Sequence, residues 1–374
     1  MQVLDSIYDF SPYPFERLNE LIKDIKPRKE IINISIGEPQ FSTPQFIQDE
    51  LKNNSFMLKK YPPSLGIDGL RIAQMDFVRR RFGIDLHSVE IIPTLGSREV
   101  LFNFPIFLLG EKENSTMAFP NPFYKIYEAS AIASKSNIIY MNLDSNNDFT
   151  PSLSEEDLQK VDLVILNSPN NPTGNALSLN ELCRWVDLAL KHDFVIINDE
   201  CYSDIYEVSP PPSILQASIR VKNYAFKNVI AINSISKRSS APGLRSGYIA
   251  GDRSILKKYA IYRTYIGCAS PLPLQMASIA AWNNDYYSDF FRKIYASNLK
   301  LAREILNVDV KPYTFYVWLK VEDDIKFTTR LYAGEGILVL PGRFLGNGEG
   351  YVRIALVFNE TKTKEILLRL KNWI

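Results

Sequence analysis

Three predicted strands in the middle of the chain end in side chains that can do acid–base, nucleophilic or anion-binding chemistry. These side chains are Asn171 in the segment SPNNPTG at 168–174, Asp199 and Tyr202, and Ser234, Ser236, Lys237 and Arg245. Each alone has a structural explanation, as a turn, a helix cap or a surface charge. In open parallel sheets, however, ligands bind at the carboxyl ends of the strands. Together these side chains therefore predict one site that combines an amide, a carboxylate, a phenol, a lysine and an arginine.

Composition limits the other kinds of chemistry. The 374 residues include only two histidines, His87 and His192, which nearly excludes multi-histidine metal sites and argues against Ser-His or Cys-His nucleophile pairs. The three cysteines, Cys183, Cys201 and Cys268, are far apart and form no CxxC spacing. We therefore expect reduced thiols, no disulfide and no metal site. The chemistry must run mainly on lysine, tyrosine, carboxylates or a cofactor.

Charge and hydropathy are typical of a globular protein. Apolar residues make up 46% of the chain, which is enough for a packed core. The net charge of +1, from 43 Lys plus Arg and 42 Asp plus Glu, gives no general attraction to nucleic acid or anionic membranes. No apolar run approaches the roughly 18 residues of a membrane span, and Asp5, Asp9 and Glu16 argue against a signal peptide. We expect a cytoplasmic protein without nucleic-acid or membrane partners.

The order of predicted elements indicates an α/β fold. Short apolar runs without polar alternation are interleaved with helix patterns, which predicts a mostly parallel (mixed) sheet covered by helices on both faces. We expect this large domain at residues 41–270. Its strands are predicted at 116–119, 137–141, 161–167, 194–198, 229–233 and 247–250, and its helices at 97–109, 122–134, 178–192 and 254–264.

The two ends of the chain predict a smaller α+β domain, formed by residues 1–40 and 271–374. Glycines at 342, 346, 348 and 350 lack the preceding strand and following helix of a nucleotide-binding loop, so they predict a flexible, hairpin-like connection. The predicted elements are a short helix at 15–25, one long helix at 274–306, strands at 315–321, 337–340 and 351–357, and a terminal helix.

Six segments, in their order and spacing, resemble the pyridoxal-phosphate-dependent aminotransferases of class I/II, which have the aspartate aminotransferase fold type I. They are Gly37-Glu38-Pro39, YPPSLGIDGLR at 61–71, SPNNPTG at 168–174, DECY at 199–202, SISK at 234–237 with Arg245, and Arg353 within YVRIA at 351–355. The resemblance covers essentially the whole chain. It implies a homodimer with active sites shared between subunits, and transfer of an amino group between glutamate and a 2-oxo acid.

The resemblance also implies catalytic roles at matching positions. Lys237 would form a Schiff base with pyridoxal 5'-phosphate and then act as general base. Asp199 would keep the pyridine nitrogen of the cofactor protonated, so that the ring can take up electrons. Tyr202 and Asn171 would donate hydrogen bonds to the 3-oxygen of the ring.

Further cofactor contacts are implied at the face of the ring and at the phosphate. Tyr124 would stack on the ring, with Phe123 as the competing choice. A helix that begins at the phosphate would favour the anion through its N–H groups and dipole. The implied phosphate-binding residues are Gly96, Ser97 and Arg98 at that helix start, Ser234, Ser236 and Arg245, and Tyr61, which would reach the site of the neighbouring subunit.

Substrate contacts are implied on the other side of the site. Arg353 would bind the substrate α-carboxylate in a two-pronged bond, and Gly37 would let the chain approach that carboxylate closely. The stretch 262–275 resembles bacterial N-succinyldiaminopimelate aminotransferases of lysine and diaminopimelate biosynthesis. The expected acceptor is therefore N-succinyl-2-amino-6-oxopimelate. Arg263 or Arg98 would meet its distal charge, although a helix-surface cation explains Arg263 equally well.

Other functions remain open. A broad aspartate or aromatic aminotransferase would use the same residues, as would a carbon–sulfur β-lyase, which releases pyruvate from cystathionine. A regulator with an aminotransferase-like sensor needs a DNA-binding domain, for which the residues ahead of Gly37 are too few and insufficiently basic. A cofactor-free Schiff-base enzyme would explain Lys237 but leave Asp199 and the phosphate-binding groups without a purpose.

Overall fold

The computed structural model describes residue 10 and residues 12–374. Within this part of the chain, buried apolar runs form strands and amphipathic segments form helices. The predictions on residues 1–9 and 11, including the signal-peptide argument from Asp5 and Asp9, lie outside the described residues. The strands are β1 (Ile32–Asn33), β2 (Ile91–Thr94), β3 (Thr116–Asn121), β4 (Asn137–Asn142), β5 (Leu163–Asn167), β6 (Val195–Asp199), β7 (Val229–Ser234), β8 (Gly247–Gly251), β9 (Tyr316–Lys320), β10 (Ile337–Leu338), β11 (Leu340–Pro341) and β12 (Tyr351–Ala355). The helices are α1 (Pro14–Ile22), α2 (Gln45–Asn53), α3 (Asp68–Phe82), α4 (Ser97–Leu109), α5 (Ile126–Ala133), α6 (Glu155–Leu158), α7 (Leu179–His192), α8 (Ile214–Arg220), α9 (Ile235–Arg238), α10 (Arg253–Ile266), α11 (Leu272–Trp282), α12 (Asp285–Leu306), α13 (Asp324–Glu335) and α14 (Glu360–Lys371).

Seven strands form the central sheet, in the order β2-β8-β7-β6-β5-β3-β4. The neighbours from β7 to β4 are parallel, whereas β8 runs antiparallel to both β2 and β7. The carboxyl ends of β5, β6 and β7 meet at one edge of the sheet, at Asn167, Asp199 and Ser234. The predicted α/β class with a mostly parallel, mixed sheet is confirmed.

Helices cover both faces of this sheet, as the unbroken apolar strands predict. Helices α2, α3, α7, α8 and α11 pack against one face, where Phe77 and Trp282 are fully buried. Helices α4, α5 and α10 pack against the other face around Phe104 and Tyr259. The core of the central sheet therefore extends along the chain from Ile47 to Trp282.

Two smaller sheets and the chain ends form a separate core. Strands β11, β12 and β9 are antiparallel, with β12 in the middle, and β1 pairs with β10 in parallel. Leu299 of α12, Leu331 of α13 and Leu367 of α14 pack against these strands. Leu18 brings α1 into contact with Phe344, beside β11.

The prediction of a single long helix over 274–306 is wrong, because this segment forms two helices, α11 and α12. The side chain of Asn284 accepts a hydrogen bond from the backbone N–H of Tyr287 and caps α12. Asn is one of the residues preferred at this position. The break allows α11 to pack against α2 and α3, while α12 packs against α14.

The glycine-rich connection joins β11 to the antiparallel strand β12, so the hairpin-like prediction is confirmed. Its turn packs against the end of β3. The N–H of Phe123 donates to the carbonyl of Leu345 at 2.8 Å, and the N–H of Asn347 donates to the Asn121 side chain at 2.7 Å. Gly346 has a φ of +102°, and a Cβ there would lie 2.2 Å from that same side chain. The position therefore requires glycine.

Among the described residues, no helix combines the length and the apolar character needed to cross a membrane. In the same part of the chain, no cluster of three or more His, Cys, Asp or Glu side chains is placed to hold a metal ion.

Candidate active site

A cavity of about 530 Å³ lies between the carboxyl ends of the central strands and the small β9–β12 sheet. Most of the predicted site residues line it. They are Gly37, Ser97, Arg98, Tyr124, Asn171, Asp199, Tyr202, Ser234, Ser236, Lys237, Arg245 and Arg353. The convergence predicted from strand ends is therefore present in the folded chain. Of the predicted cofactor-binding residues, Gly96 and Tyr61 do not line the cavity. Gly96 lies against the Arg245 guanidinium, and Tyr61 is 99% exposed on the surface.

Lys237 lies on the short helix α9, directly after β7. The hydroxyl of Ser234 caps this helix by accepting from the N–H of Ser236, which places the lysine toward the cavity. Its Nζ donates to the carbonyl of Gly37. Burial lowers the pKa of Lys237 to about 8, and the charge of Arg353 contributes to the decrease. A lysine with a pKa near neutral can serve as nucleophile or base.

Asp199 ends β6 and is buried. Its Oδ2 accepts a hydrogen bond from the Tyr127 hydroxyl at 3.0 Å, and its Oδ1 accepts from the N–H of Cys201 at 3.2 Å. Burial raises the pKa of Asp199, whereas these hydrogen bonds oppose the increase. A buried carboxylate of this kind gains most from a cationic partner within the cavity.

The groups at the start of α4 form a cradle for an anion. Gly96 has a φ of +75°, and a Cβ there would lie 2.6 Å from the Arg245 guanidinium. Only glycine lets the chain pass so close to that arginine. The Ser234 hydroxyl donates to Ser236 at 2.8 Å, and Arg245 donates to the carbonyl of Pro242 at 3.0 Å. Hydroxyls, a guanidinium and the N-terminus of α4 together suit a phosphate.

Arg353 projects from the middle strand β12 and is 4% exposed. Its Nη1 donates to Asn171 Oδ1 at 2.9 Å, and its Nη2 donates to the carbonyl of Ser35 at 2.6 Å. Its Nε has no hydrogen-bond partner among the described residues. A buried donor without a partner is costly, and a carboxylate in the cavity would satisfy it.

Tyr124, not Phe123, faces the cavity. Phe123 is buried between Phe119 and Tyr140, and its ring stacks on Tyr140 with centroids 5.8 Å apart. The hydroxyl of Tyr124 accepts from Arg98 Nε at 2.7 Å. The Phe123 ring is therefore occupied by core packing, which leaves Tyr124 as the aromatic side chain able to stack on a ligand.

Arg98 is a cation without an anionic partner in the described part of the chain. Besides Tyr124, it donates through Nη2 to the hydroxyl of Tyr13 at 3.0 Å. The neighbouring Lys125, by contrast, pairs with Glu128. Arg98 therefore keeps its charge available at the side of the cavity that α1 closes.

The prediction that Arg263 reads the substrate is wrong, as is its alternative as a helix-surface cation. Arg263 is 1% exposed and does not line the cavity. Its guanidinium pairs with Glu99 and also donates to the carbonyls of Ser64, Pro93 and Cys268. The sequence places Arg263 on a helix but does not show that Glu99 lies opposite it.

Several cavity residues carry no signal in the predicted motifs. Tyr13 and Tyr316 come from distant parts of the chain and reach the cavity only through tertiary packing. Three others did have a signal. Glu38 and Cys201 lie within the motifs at 37–39 and 199–202, and Tyr127 lies three residues after Tyr124, near the start of α5. The residues missed by the sequence analysis are Tyr13, Pro14, Phe15, Ile36, Glu38, Lys125, Tyr127, Asn167, Cys201, Pro242, Tyr316, Leu340 and Leu345.

Comparison with known proteins identifies the family. The family "Aminotransferase class I and II" matches residues 29–370. The chain belongs to this family. The resemblance to pyridoxal-phosphate-dependent class I/II aminotransferases, with fold type I, is thereby confirmed. Members of this family use pyridoxal phosphate, and they act on amino and 2-oxo acids.

Individual relatives are similar along their whole lengths. The crystal structure of aminotransferase AspB from Helicobacter pylori shares 55% identity, with a TM-score of 0.96 over 97% of this chain and 98% of that chain. The LL-diaminopimelate aminotransferase of Natranaerobius thermophilus is 30% identical over 99% of both chains. The structure of aspartate aminotransferase from Thermotoga maritima shares 26% identity, with a TM-score of 0.88 over 99% of both chains.

The donor set of this chain's cavity fits the family's cofactor. The hydroxyl and guanidinium groups around Gly96 suit its phosphate, Asp199 suits a protonated ring nitrogen, and Lys237 suits its aldehyde. The unsatisfied Nε of Arg353 suits the carboxylate of an amino acid.

Proposed function

We propose that this aminotransferase holds pyridoxal phosphate at Lys237 and transfers an amino group between glutamate and a 2-oxo acid. The observation that carries the proposal is the convergence of Lys237, Asp199 and Arg353 on one cavity. When bound, pyridoxal phosphate supplies an electron sink for the α-carbon of the substrate. Lys237, with a pKa of about 8, moves the proton at that carbon. Arg353 binds the α-carboxylate, and Asp199 holds a positive charge at the ring nitrogen.

The other cavity residues take positions consistent with the cofactor. We assign Tyr124 to the ring face, Tyr202 and Asn171 to the ring oxygen, and the start of α4 to the phosphate. Burial raises the pKa of Tyr202 well above its ordinary value, so this phenol remains a hydrogen-bond donor. Asn171 is held by Arg353 at 2.9 Å, and it therefore borders both the cofactor and the substrate.

For the substrate, we propose a dicarboxylic acid whose distal carboxylate is bound by Arg98. Of the two candidates from the sequence, Arg98 lines the cavity and Arg263 does not. The finer assignment is N-succinyl-2-amino-6-oxopimelate, in lysine and diaminopimelate biosynthesis. The resemblance of segment 262–275 supports it, and the relatives named LL-diaminopimelate aminotransferase support a diaminopimelate-related substrate. A broad aspartate aminotransferase is the second candidate, supported by the Thermotoga maritima structure.

We propose further that two chains form a homodimer with shared sites. The region around Tyr61 exposes apolar side chains that a second chain could cover. Tyr61 is 99% exposed, Leu58 71% and Tyr265 85%, and the Ser64 hydroxyl lies 3.1 Å from that of Thr264, which joins the two segments. Within this dimer, Tyr61 would reach the phosphate of the other subunit. The division into domains at residues 41–270 and 1–40 with 271–374 is part of the same proposal.

An optical experiment tests the reaction. The purified protein with pyridoxal phosphate should be yellow, and glutamate should remove the colour as the amino group is transferred. A colourless protein that does not bind added pyridoxal phosphate would contradict the proposal. Pyruvate release from cystathionine without glutamate formation would instead indicate a β-lyase.

A substrate panel tests the distal arginine. Arg98→Gln should lower kcat/KM for succinylated and other dicarboxylic substrates by roughly 30-fold or more, as for the loss of a charged hydrogen-bonded partner. It should change kcat/KM for monocarboxylic acceptors much less. Arg79→Gln, on the exposed surface of α3, is the matched control. Equal losses for both substrate classes would remove Arg98 from substrate recognition.

A further inference from the structure

Tyr316, the first residue of β9, contacts three of the predicted site residues. Its hydroxyl oxygen lies 3.0 Å from that of Tyr202. Its ring lies beneath the guanidinium of Arg353, with the Cζ of that arginine 4.5 Å from the ring centroid. A Cβ on Gly37 would lie 1.8 Å from the Tyr316 hydroxyl. Tyr316 therefore connects the substrate side of the cavity with the side assigned to the cofactor.

The strand register fixes this contact. Arg353 of β12 is opposite Trp318 of β9, and Tyr316 precedes Trp318 by two residues. Arg353 and Tyr316 are therefore diagonal neighbours on one face of the sheet, close enough for long side chains to touch. Tyr316 is 3% exposed, so water does not compete strongly for its hydroxyl.

Either of the two hydroxyls could donate to the other, and the cation on the ring face of Tyr316 favours one direction. A guanidinium above an aromatic ring attracts its π electrons, which makes the hydroxyl of that ring a stronger donor. Among the described residues, no comparable cation stacks on Tyr202. The ring of Tyr202 packs edge-on against Phe315. Tyr316 is therefore the better donor of the pair and Tyr202 the better acceptor.

We propose that Tyr316 is a positioning residue that donates its hydroxyl proton to the Tyr202 oxygen, so that the proton of Tyr202 is left for the ring oxygen of the cofactor. The Arg353 charge strengthens this donation, and a carboxylate bound to Arg353 weakens it. Substrate binding is thereby coupled to the hydrogen bond at the ring. This inference rests on the proposed function.

Gly37 is part of the same arrangement. Its lack of a side chain leaves room for the Tyr316 hydroxyl, and its carbonyl accepts from Lys237. The segment that accepts the hydrogen bond of Lys237 thus also confines the Tyr316 hydroxyl beside Tyr202. Any larger residue at position 37 would displace the phenol.

The test is the pH midpoint of the visible absorbance of the holoenzyme. Hydrogen bonds to the ring oxygen favour the deprotonated chromophore, and hydrogen bonds in series strengthen one another. Tyr316→Phe keeps the ring beneath Arg353 but removes the hydroxyl. We expect the midpoint to rise by about half a unit to one unit, the equivalent of one modest hydrogen bond. Tyr295→Phe is the matched control, since Tyr295 is buried in the same aromatic cluster and its hydroxyl has no hydrogen-bond partner within the described part of the chain.

The sign of the shift decides the proposal. If Tyr202 donated to Tyr316 instead, Tyr316→Phe would free the Tyr202 proton and the midpoint would fall. A fall, or no change, overturns the proposal. In the background of Tyr202→Phe, Tyr316→Phe should produce no further shift, and an undiminished shift there also overturns it. The comparison of Tyr202→Phe with the double variant Tyr202→Phe and Tyr316→Phe remains informative if the single variant Tyr316→Phe folds poorly.

Maleate, a dicarboxylate without an amino group, tests the coupling to Arg353. It should raise the midpoint of the wild-type holoenzyme, and raise it less in Tyr316→Phe. An equal increase in both proteins overturns the coupling. If the proposed function itself fails, all the proteins remain colourless with added pyridoxal phosphate, which is a different result from an unshifted midpoint.

Discussion

Arg263 and Glu99 form a buried two-point ion pair, with Nη2 2.9 Å from Oε2 and Nε 3.0 Å from Oε1. Glu99 belongs to the first turn of α4, and its Oε2 also accepts from the N–H of Leu95. The remaining guanidinium protons bind backbone carbonyls, including that of Ser64 near the exposed Tyr61. One arginine thus joins the start of α4, which we assign to the phosphate, to the segment assigned to the dimer contact.

Removal of one partner of this pair should destabilise the fold. Arg263→Gln leaves Glu99 as a buried charge without its cation, so we expect a loss of about 3–5 kcal/mol in the free energy of unfolding. The double variant Arg263→Met with Glu99→Leu should recover most of that loss. Urea unfolding of the wild type and of both variants measures the difference. The ratio of kcat/KM between dicarboxylic and monocarboxylic substrates should not change in any variant that folds, and a changed ratio would return Arg263 to substrate recognition.

Substitution of Arg353, the arginine assigned to the substrate carboxylate, should weaken the binding of both substrates. Arg353→Lys keeps a positive charge but loses the fork that includes the unpartnered Nε. We expect kcat/KM for glutamate and for the 2-oxo acid to fall by roughly 30- to 1000-fold, as for a buried charge pair that loses its geometry. Arg330→Lys, at an exposed position of α13, serves as control. If only one substrate were affected, Arg353 would not bind the shared α-carboxylate.

The buried lysine should destabilise the protein when no cofactor is present. The pKa of Lys237 is about 8 in the folded chain and 10.5 in its unperturbed state. Between these values the unfolded chain binds more protons, so this contribution to stability increases with pH from about 8 to 10.5. Below pH 8 the penalty is constant, at about 3 kcal/mol.

Lys237→Met removes that penalty, so the cofactor-free variant should unfold at a higher temperature than the cofactor-free wild type at pH 7. The difference should shrink as the pH approaches 10. Thermal unfolding at both pH values provides the measurement. Lys300→Met, at an exposed site, should show neither effect. A Lys237→Met protein less stable than wild type at pH 7 would contradict the inferred cost of burial.

Gly37→Ala should damage the cavity through steric overlap. The new methyl group would lie 1.8 Å from the Tyr316 hydroxyl and 2.6 Å from the adjacent ring carbon. Overpacking of this kind costs about 1–3 kcal/mol, and here it displaces a phenol that contacts Arg353. We expect a higher KM for both substrates. Gly243→Ala is the matched control, because a Cβ there meets no atom within 4 Å. Normal kinetics for Gly37→Ala would show that the segment yields without affecting the site.

The sequence was sufficient to predict those site residues whose position follows from strand ends. Asp199 and Lys237 lie where buried parallel strands stop, and the rule for open sheets brings such positions to one edge. The central sheet was predictable for the same reason, since its strands are continuous apolar runs. Strand β2 was missed because Ile91–Thr94 is short and contains Pro93, which disfavours a strand assignment.

Residues brought in by long-range packing were not predictable. Tyr316 reaches Tyr202 only because β9 pairs with β12, and no local pattern encodes that pairing. Arg263 was misassigned for a related reason, as its partner Glu99 is distant in sequence. The helix break at Asn284 did have a local signal, a capping residue, but the apolar pattern on both sides obscured it.

The position of Arg353 on the middle strand of its sheet has a consequence for synthesis on the ribosome. Strand β12 is the last strand in sequence, yet both β9 and β11 pair with it. The nascent chain can present Lys237 and Asp199 on the central sheet long before residue 353 leaves the exit tunnel. The arginine assigned to the substrate carboxylate is therefore added last. A chain that ends shortly before residue 353 has Lys237 in place but lacks this arginine.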